Sequence, residues 1–327
     1  MTDTFTAAVQ QAFLTACRLD VAVRKPGNVS LASSGHGMQA AHFVASAQAA
    51  APALCQAQAR VGARIEAAVR ASWAAAGCNT NLGILLLCAP LAAAAQQLAA
   101  AGPLTPSLLR QAVQQVLAGL DRDDAAAAFR AIALANPGGL GQADAHDVHT
   151  PPQVGLREAM AHAAPRDSIA RQYRDGLADL FDTGLAALAG VPVQLADDGQ
   201  PAPALTAAVQ RVFLGFVAAW PDSHIVRKHG EALAHSVMSA AQPWQARAAA
   251  GQGLDDDAHW GRWDESLKQQ GLNPGTSADL TVATLMLAGL LQSHGTDRDY
   301  KGTGAAHSAR ASHTQNPIQE IAHHGKD

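Results

Sequence analysis

Residues 4–23 read TFTAAVQQAFLTACRLDVAV, with Phe5, Val9, Phe13, Ala16 and Leu19 recurring at three- and four-residue steps. That spacing lines one face of an α-helix with apolar side chains. Working outward, residues 62–76 (GARIEAAVRASWAAA) repeat the pattern with Ile65, Val69 and Trp73. Further helical stretches are expected at 82–100, 105–118, 122–135, 167–189, 203–219, 223–240, 255–270 and 277–292. No run of six residues alternates apolar and polar with β-formers. The expectation is an all-α fold, a single multi-helix domain of about ten or more packed helices over 1–293. Residues 294–327 read as a flexible polar tail, and the histidines there (His307, His313, His323, His324) as solvated.

Composition supports this. The chain has 327 residues, 48% of them hydrophobic but only 4% aromatic. Close to a quarter of the positions are alanine, the strongest helix former. A β-sandwich would need more β-branched and aromatic residues. Charged residues are 15% and the net charge is −4, which argues against a basic nucleic-acid-binding face. The start of the chain lacks the basic and apolar regions of a signal peptide. The greasiest stretch, Leu82–Ala101, is mostly alanine and carries Pro90, Gln96 and Gln97, so it reads as a buried helix and not a membrane span. Cys17, Cys55, Cys78 and Cys88 show no CxxC spacing and read as reduced residues of a cytoplasmic protein.

Three turns pair proline with glycine: Lys25-Pro26-Gly27-Asn28, Asn136-Pro137-Gly138-Gly139 and Asn273-Pro274-Gly275-Thr276. Each fits a tight turn with glycine at positive φ. Each is either punctuation between helices or, before a helix start, an anion cradle.

Four polar clusters stand out against the alanine background. The first joins Arg24, Lys25 and Asn28 to Ser34-Gly35-His36-Gly37-Met38; it is either a capped helix start or a phosphate contact with His36 as acid or base. The second, Asn79-Thr80-Asn81, precedes a very apolar helix and either caps it or adds substrate hydrogen bonds. The third holds Asp144, His146, Asp147 and His149 after Gly138-Gly139-Leu140-Gly141. His146 and His149 have a zinc-like spacing, but a carboxylate holding Mg²⁺ suits the region better. The fourth, Asp222-Ser223-His224-Ile225-Val226-Arg227-Lys228-His229-Gly230-Glu231, carries the strongest site signal. Asp222 can cap a helix on which His224, Arg227, Lys228 and Glu231 share a face, and the two cations suit a polyphosphate. No GxxxxGK[ST], GxSxG or HExxH motif occurs. The residues alone point to an all-α enzyme acting on a phosphorylated substrate.

Taken in order, these motifs resemble the triphosphoribosyl-dephospho-CoA synthase family. The counterparts are Lys25-Pro26-Gly27, Ser34-Gly35-His36-Gly37-Met38, Gly77-Cys78-Asn79-Thr80-Asn81-Leu82-Gly83, Arg227-Lys228-His229-Gly230 and Asn273-Pro274-Gly275-Thr276-Ser277-Ala278-Asp279-Leu280. Asn136–Gly141 and Arg166–Tyr173 also look familial. Two positions depart from the family pattern: Asn81-Leu82 replaces a His-Lys pair, and Gly37 replaces an aspartate.

The resemblance implies a transferase joining ATP and 3′-dephospho-CoA. A ribose 2′-hydroxyl attacks C1′ of the ATP ribose, adenine leaves and the triphosphate stays. The product is the prosthetic-group precursor of an acyl-carrier subunit. That chemistry needs a carboxylate near C1′ or on Mg²⁺, for which Asp147, Asp222 and Asp279 are candidates. It needs a base for the hydroxyl, with His36 and His229 as candidates. Cations must meet the triphosphate, from Lys25, Arg227 and Lys228 together with Mg²⁺. Asn28, Asn79, Thr80, Arg171, Asn273 and Thr276 complete the expected substrate contacts. Two alternatives stay open: a divergent relative acting on a phosphorylated precursor of a one-carbon carrier such as tetrahydromethanopterin or methanofuran, and a non-catalytic helical binding protein. Abundant small residues also allow a homodimer.

Overall fold

A computed structural model describes residues 2–138 and 147–293, with the side chains of Thr2 and Asp3 outside the description. The expected tail, His146 and the glycines Gly139 and Gly141 lie outside the described residues. Among those described there are fourteen α-helices and no strand. They are α1 (Thr2–Ala22), α2 (Ala40–Leu54), α3 (Val61–Ala76), α4 (Leu82–Gln97), α5 (Pro106–Ala118), α6 (Arg122–Ala135) and α7 (Leu156–Ala163). There follow α8 (Ser168–Asp175), α9 (Leu185–Leu188), α10 (Pro203–Val217), α11 (Ser223–His229), α12 (Glu231–Ala249), α13 (Ala258–Gln269) and α14 (Gly275–Ser293). A π-helical turn at Leu180–Gly184 runs directly into α9.

Two helices form the spine. α4 is buried at every residue from Leu82 to Ala95, and α14 at nearly every residue from Thr276 to Leu290. A helix apolar on all sides has no face to offer water, so both are enclosed by others. α4 packs against α1, α2, α3, α5, α8 and α14. α14 packs against α1, α4, α8, α10 and α11. The buried Thr281 and Thr284 hydroxyls donate to the carbonyls of Ser277 and Leu280 at 2.8 and 2.9 Å, so neither is left unpaired. No described helix is long and apolar enough to cross a membrane.

A second apolar cluster lies beside the main core, around the end of α10 and helices α11–α13. It is centred on the fully buried Trp260, with Trp244 and Trp263 packed against it. The loop between α1 and α2 lies against this second cluster through its polar side chains.

Two expected helices are interrupted. The stretch 167–189 breaks at Gly176 (φ 74°) and Leu177 (φ 57°). The stretch 223–240 breaks at Gly230 (φ 86°), which ends α11 and starts α12. Glu231 therefore opens a second helix and does not continue the face of His224, Arg227 and Lys228. Residues 30–38 form two isolated bridges, Ser30 with Ser33 and Gly35 with Met38, and the next helix starts at Ala40, beyond Ser34.

Candidate functional site

The three proline-glycine turns converge. Gly27 has φ +80°, and a Cβ there would stand 2.7 Å from both Leu272 O and Pro274 Cδ. The first turn thus lies directly on the third, and only glycine satisfies both the backbone and the space. The Asn28 amide donates to Asn273 Oδ1 at 3.1 Å across the same seam. α11 links this pair to the second turn: Gly275 lies under the His224 ring, and Gly138 under the end of the Lys228 side chain.

Asp222 is buried and caps α11. Its Oδ1 accepts from the backbone N–H of His224 (2.9 Å) and Ile225 (3.3 Å). Its Oδ2 accepts from both the N–H and the hydroxyl of Ser277, at 2.7 and 2.8 Å. It fastens α11 to the start of α14, with both oxygens engaged. Burial raises its pKa and the Ser277 hydrogen bonds oppose the rise. Thr276 Oγ1 accepts from the His224 N–H at 3.2 Å, strengthening the same joint.

Asp279 is its opposite. It lies one turn into α14, against Gly83 of α4, where any Cβ would collide with its Oδ2. Among the described residues it has no hydrogen-bond or ion-pair partner, and its oxygens keep accessible surface. The residue is half-buried. Burial lifts its pKa well above the usual carboxylate range; the charges of Asp20 and Asp222 add to this and Arg227 opposes it.

Lys25 is held by the end of α1. It is fully buried, its ammonium 3.0 Å from Asp20 Oδ1, and it also donates to the Asp20 and Val23 carbonyls. A buried charge held this way ties the chain before the turn to the end of α1. No surface is left on Lys25 for a triphosphate to touch in this conformation.

The other expected residues divide between partnered and open. Arg227 pairs with Asp167 at 2.6 Å. Arg171 pairs with Asp179 at 2.9 Å and stacks on Trp220, 4.3 Å from the ring centre. Thr80 donates to Ser46 at 2.7 Å. Asn79 Oδ1 accepts from the Leu82 N–H at 3.2 Å and so caps α4. Asp147 Oδ1 accepts from the His149 N–H at 2.8 Å in a turn of its own. Lys228 is exposed and has no partner among the described residues.

Three histidines belong to the same cluster. His36 Nε2 is 2.8 Å from the Gly27 carbonyl, and His229 Nε2 is 3.1 Å from that of Gly271. A carbonyl can only accept, so each Nε2 carries a hydrogen, and the tautomer this selects has its lone pair on Nδ1. His224 is held neutral: burial pushes its pKa down to about 3, and Lys228, Arg227, His36 and His229 add to that.

Sequence reading gave no role to Asp20, Asp167, Ser277 or Gly83. Asp20 lies five residues before Lys25 and Asp167 sixty before Arg227, and nothing in the sequence marks either pairing. Among the described residues no three His, Cys, Asp or Glu side chains form a ready metal cage. A separate open groove of about 630 Å³, lined by Leu120, Arg122, Arg157 and Arg174 among others, contains none of the site residues.

The fold and site define an all-α protein whose dispersed turns come together beside cations, histidines and a carboxylate with no partner among the described residues. The chain belongs to the ATP:dephospho-CoA triphosphoribosyl transferase family, whose model matches residues 6–298. It is a transferase of the triphosphoribosyl-dephospho-CoA synthase type. A crystal structure of an Archaeoglobus fulgidus protein assigned as a triphosphoribosyl-dephospho-CoA synthase is similar, with a TM-score of 0.56 and 22% identity. It covers 76% of this chain and 99% of its own, and at that identity the likeness is one of fold. Among proteins of curated function none matches. The family match favours neither the one-carbon-carrier reading nor the non-catalytic one.

Proposed function

We propose that Asp279 floors a recess that binds ATP and 3′-dephospho-CoA and moves the triphosphoribosyl group from adenine to the ribose 2′-hydroxyl. The observation that carries this reading is the contrast between two aspartates of one site. Asp222 has both oxygens committed to the fold, whereas Asp279 has no partner for either oxygen among the described residues. A fold does not need an unpaired carboxylate there, whereas a reaction that builds positive charge at C1′ does.

His36 Nδ1 is the acceptor for the 2′-hydroxyl proton, with His229 as the alternative base at the more exposed edge. Lys228 meets the phosphates, and Arg227 joins it from its pair with Asp167. Asn28, Asn79 and Asn273 supply amide contacts around the sugars. Asp279 also fits a Mg²⁺ ion brought by the nucleotide, since Mg²⁺ takes one or two carboxylates with phosphate oxygens and water. Bound there, the ion neutralises part of the triphosphate charge. Asp222 does not fit that role, because its oxygens are spent. We place the reaction in the cytoplasm, where ATP is available, and carry the homodimer forward for light scattering to test.

The test is mass spectrometry of the purified protein with ATP, Mg²⁺ and 3′-dephospho-CoA. Free adenine should appear only when dephospho-CoA is present. Asp279→Asn should abolish it without lowering the melting temperature. Full activity in Asp279→Asn, or no adenine from folded wild-type protein, would overturn the reading.

A further inference from the structure

The first turn is held from outside by a side chain in none of the motifs. Asp264, on α13, is buried, and its Oδ1 accepts from the Gly27 N–H at 2.9 Å. Its Oδ2 lies 2.9 Å from Lys268 Nζ and 3.9 Å from Arg24 Nε. Lys268 reaches on to the Ser33 carbonyl at 3.1 Å, and its stem packs on Gly35, where a Cβ would stand 3.2 Å from Lys268 Cγ. One i,i+4 pair on α13 thus grips the α1–α2 loop at both ends, at Gly27 and at Ser33–Gly35. His36 follows at once, at φ 56°, and binds back to Gly27 O. A non-glycine residue at that φ persists only where its surroundings hold it.

We infer that Asp264 and Lys268 are positioning residues for the transfer reaction, setting where Asn28 and His36 stand relative to the recess. This rests on the reading above, in which those two residues meet the substrates. The clamp joins the second apolar cluster to the first turn, so displacement of α13 is transmitted to the base. Arg24 and Lys268 face Asp264 from two elements, and the loop supplies N–H and C=O groups; the two cations exceed the one carboxylate.

The experiment compares three full-length proteins by adenine-release kinetics, thermal melting and backbone hydrogen exchange. Asp264→Ala removes the acceptor for Gly27 and the partner of Lys268. Asp264→Asn keeps an acceptor for Gly27 and leaves Lys268 on the Ser33 carbonyl. Asp264→Ala should lower kcat per folded molecule by on the order of 100-fold, the cost of a misplacement near 1 Å. KM for either substrate should stay within roughly threefold, and amides between Gly27 and His36 should lose protection. Asp264→Asn should recover most of both. A purely structural role predicts that the two variants lose activity in step with melting temperature, with no selective loss of protection in the loop; that result overturns the inference. Exchange is read without substrate. An inactive wild type would therefore sink the transfer reaction and still leave the clamp judged by the loop amides.

Discussion

Asp279 Oδ2 fills the space that a side chain on Gly83 would need, so the two buried helices α4 and α14 cross at a glycine and a free carboxylate. Gly83→Ala should therefore act at the site as well as on packing. Overfilling a core contact costs about 1–3 kcal/mol. We expect a lower melting temperature together with a fall in adenine release larger than the unfolded fraction explains. Circular dichroism melts paired with initial rates will separate the two.

The unpaired state of Asp279 has a pH signature. Its folded pKa lies above the unfolded value of about 3.9, so the folded protein binds the extra proton. Stability should then fall as pH rises from about 4 through the raised folded value. Asp279→Asn should flatten that fall and melt higher than wild type at pH 7 in metal-free buffer. A variant that is more stable yet inactive marks a group kept for function at the expense of stability. An unchanged pH profile of melting would contradict this.

Asp222→Ala should behave in the opposite way. It loses a helix cap, about 0.5–2 kcal/mol, and strands two Ser277 donors, about 1–3 kcal/mol. Denaturant titration should show the loss directly, and any fall in activity should track the fraction unfolded.

Lys25→Met leaves the Asp20 carboxylate buried without its cation. Breaking such a pair costs about 3–5 kcal/mol. Adding Asp20→Asn should return part of that stability. If Lys25→Met instead melts like wild type and raises KM for ATP, the lysine serves the substrate and not the fold.

Three of the four cysteines are shut away. Burial raises the thiols of Cys17 and Cys88 far above the ordinary range and pushes Cys55 up to about 12. Cys78 alone is partly exposed. Iodoacetamide at pH 8 should label about one thiol per native chain, and peptide mapping should find it at Cys78.

Much of the fold was legible because Phe5, Val9, Phe13 and their counterparts repeat with helical spacing. Residues 122–135 match α6 at both ends. The reading passed over α2, whose sequence AAHFVASAQAAAPAL carries alanine on every side and so offers little contrast between faces. It ran through Gly176 and Gly230 because an apolar rhythm continues across a break that only backbone φ reveals. At the site, sequence located the turns and the α11 cluster but could not sort identical residue types. Asp222 and Asp279 are both plain aspartates, and burial and partners alone make one a fastener and leave the other free. Lys25 looked like a phosphate ligand because Asp20, which holds it, is another residue of the same stretch with nothing to mark the pairing.

The convergence of turns around Gly27, Gly138 and Gly275 also bears on synthesis. The recess draws on both ends of the folded chain: α1 lies against α14, and the first turn rests on the third. A nascent chain on the ribosome can coil its early helices locally, but it has no Asp279 and no seat for the first turn until the last helix has emerged. Contacts so far apart in sequence form late. An unfinished copy thus lacks both, and the joint between the first and third turns arrives only with α14.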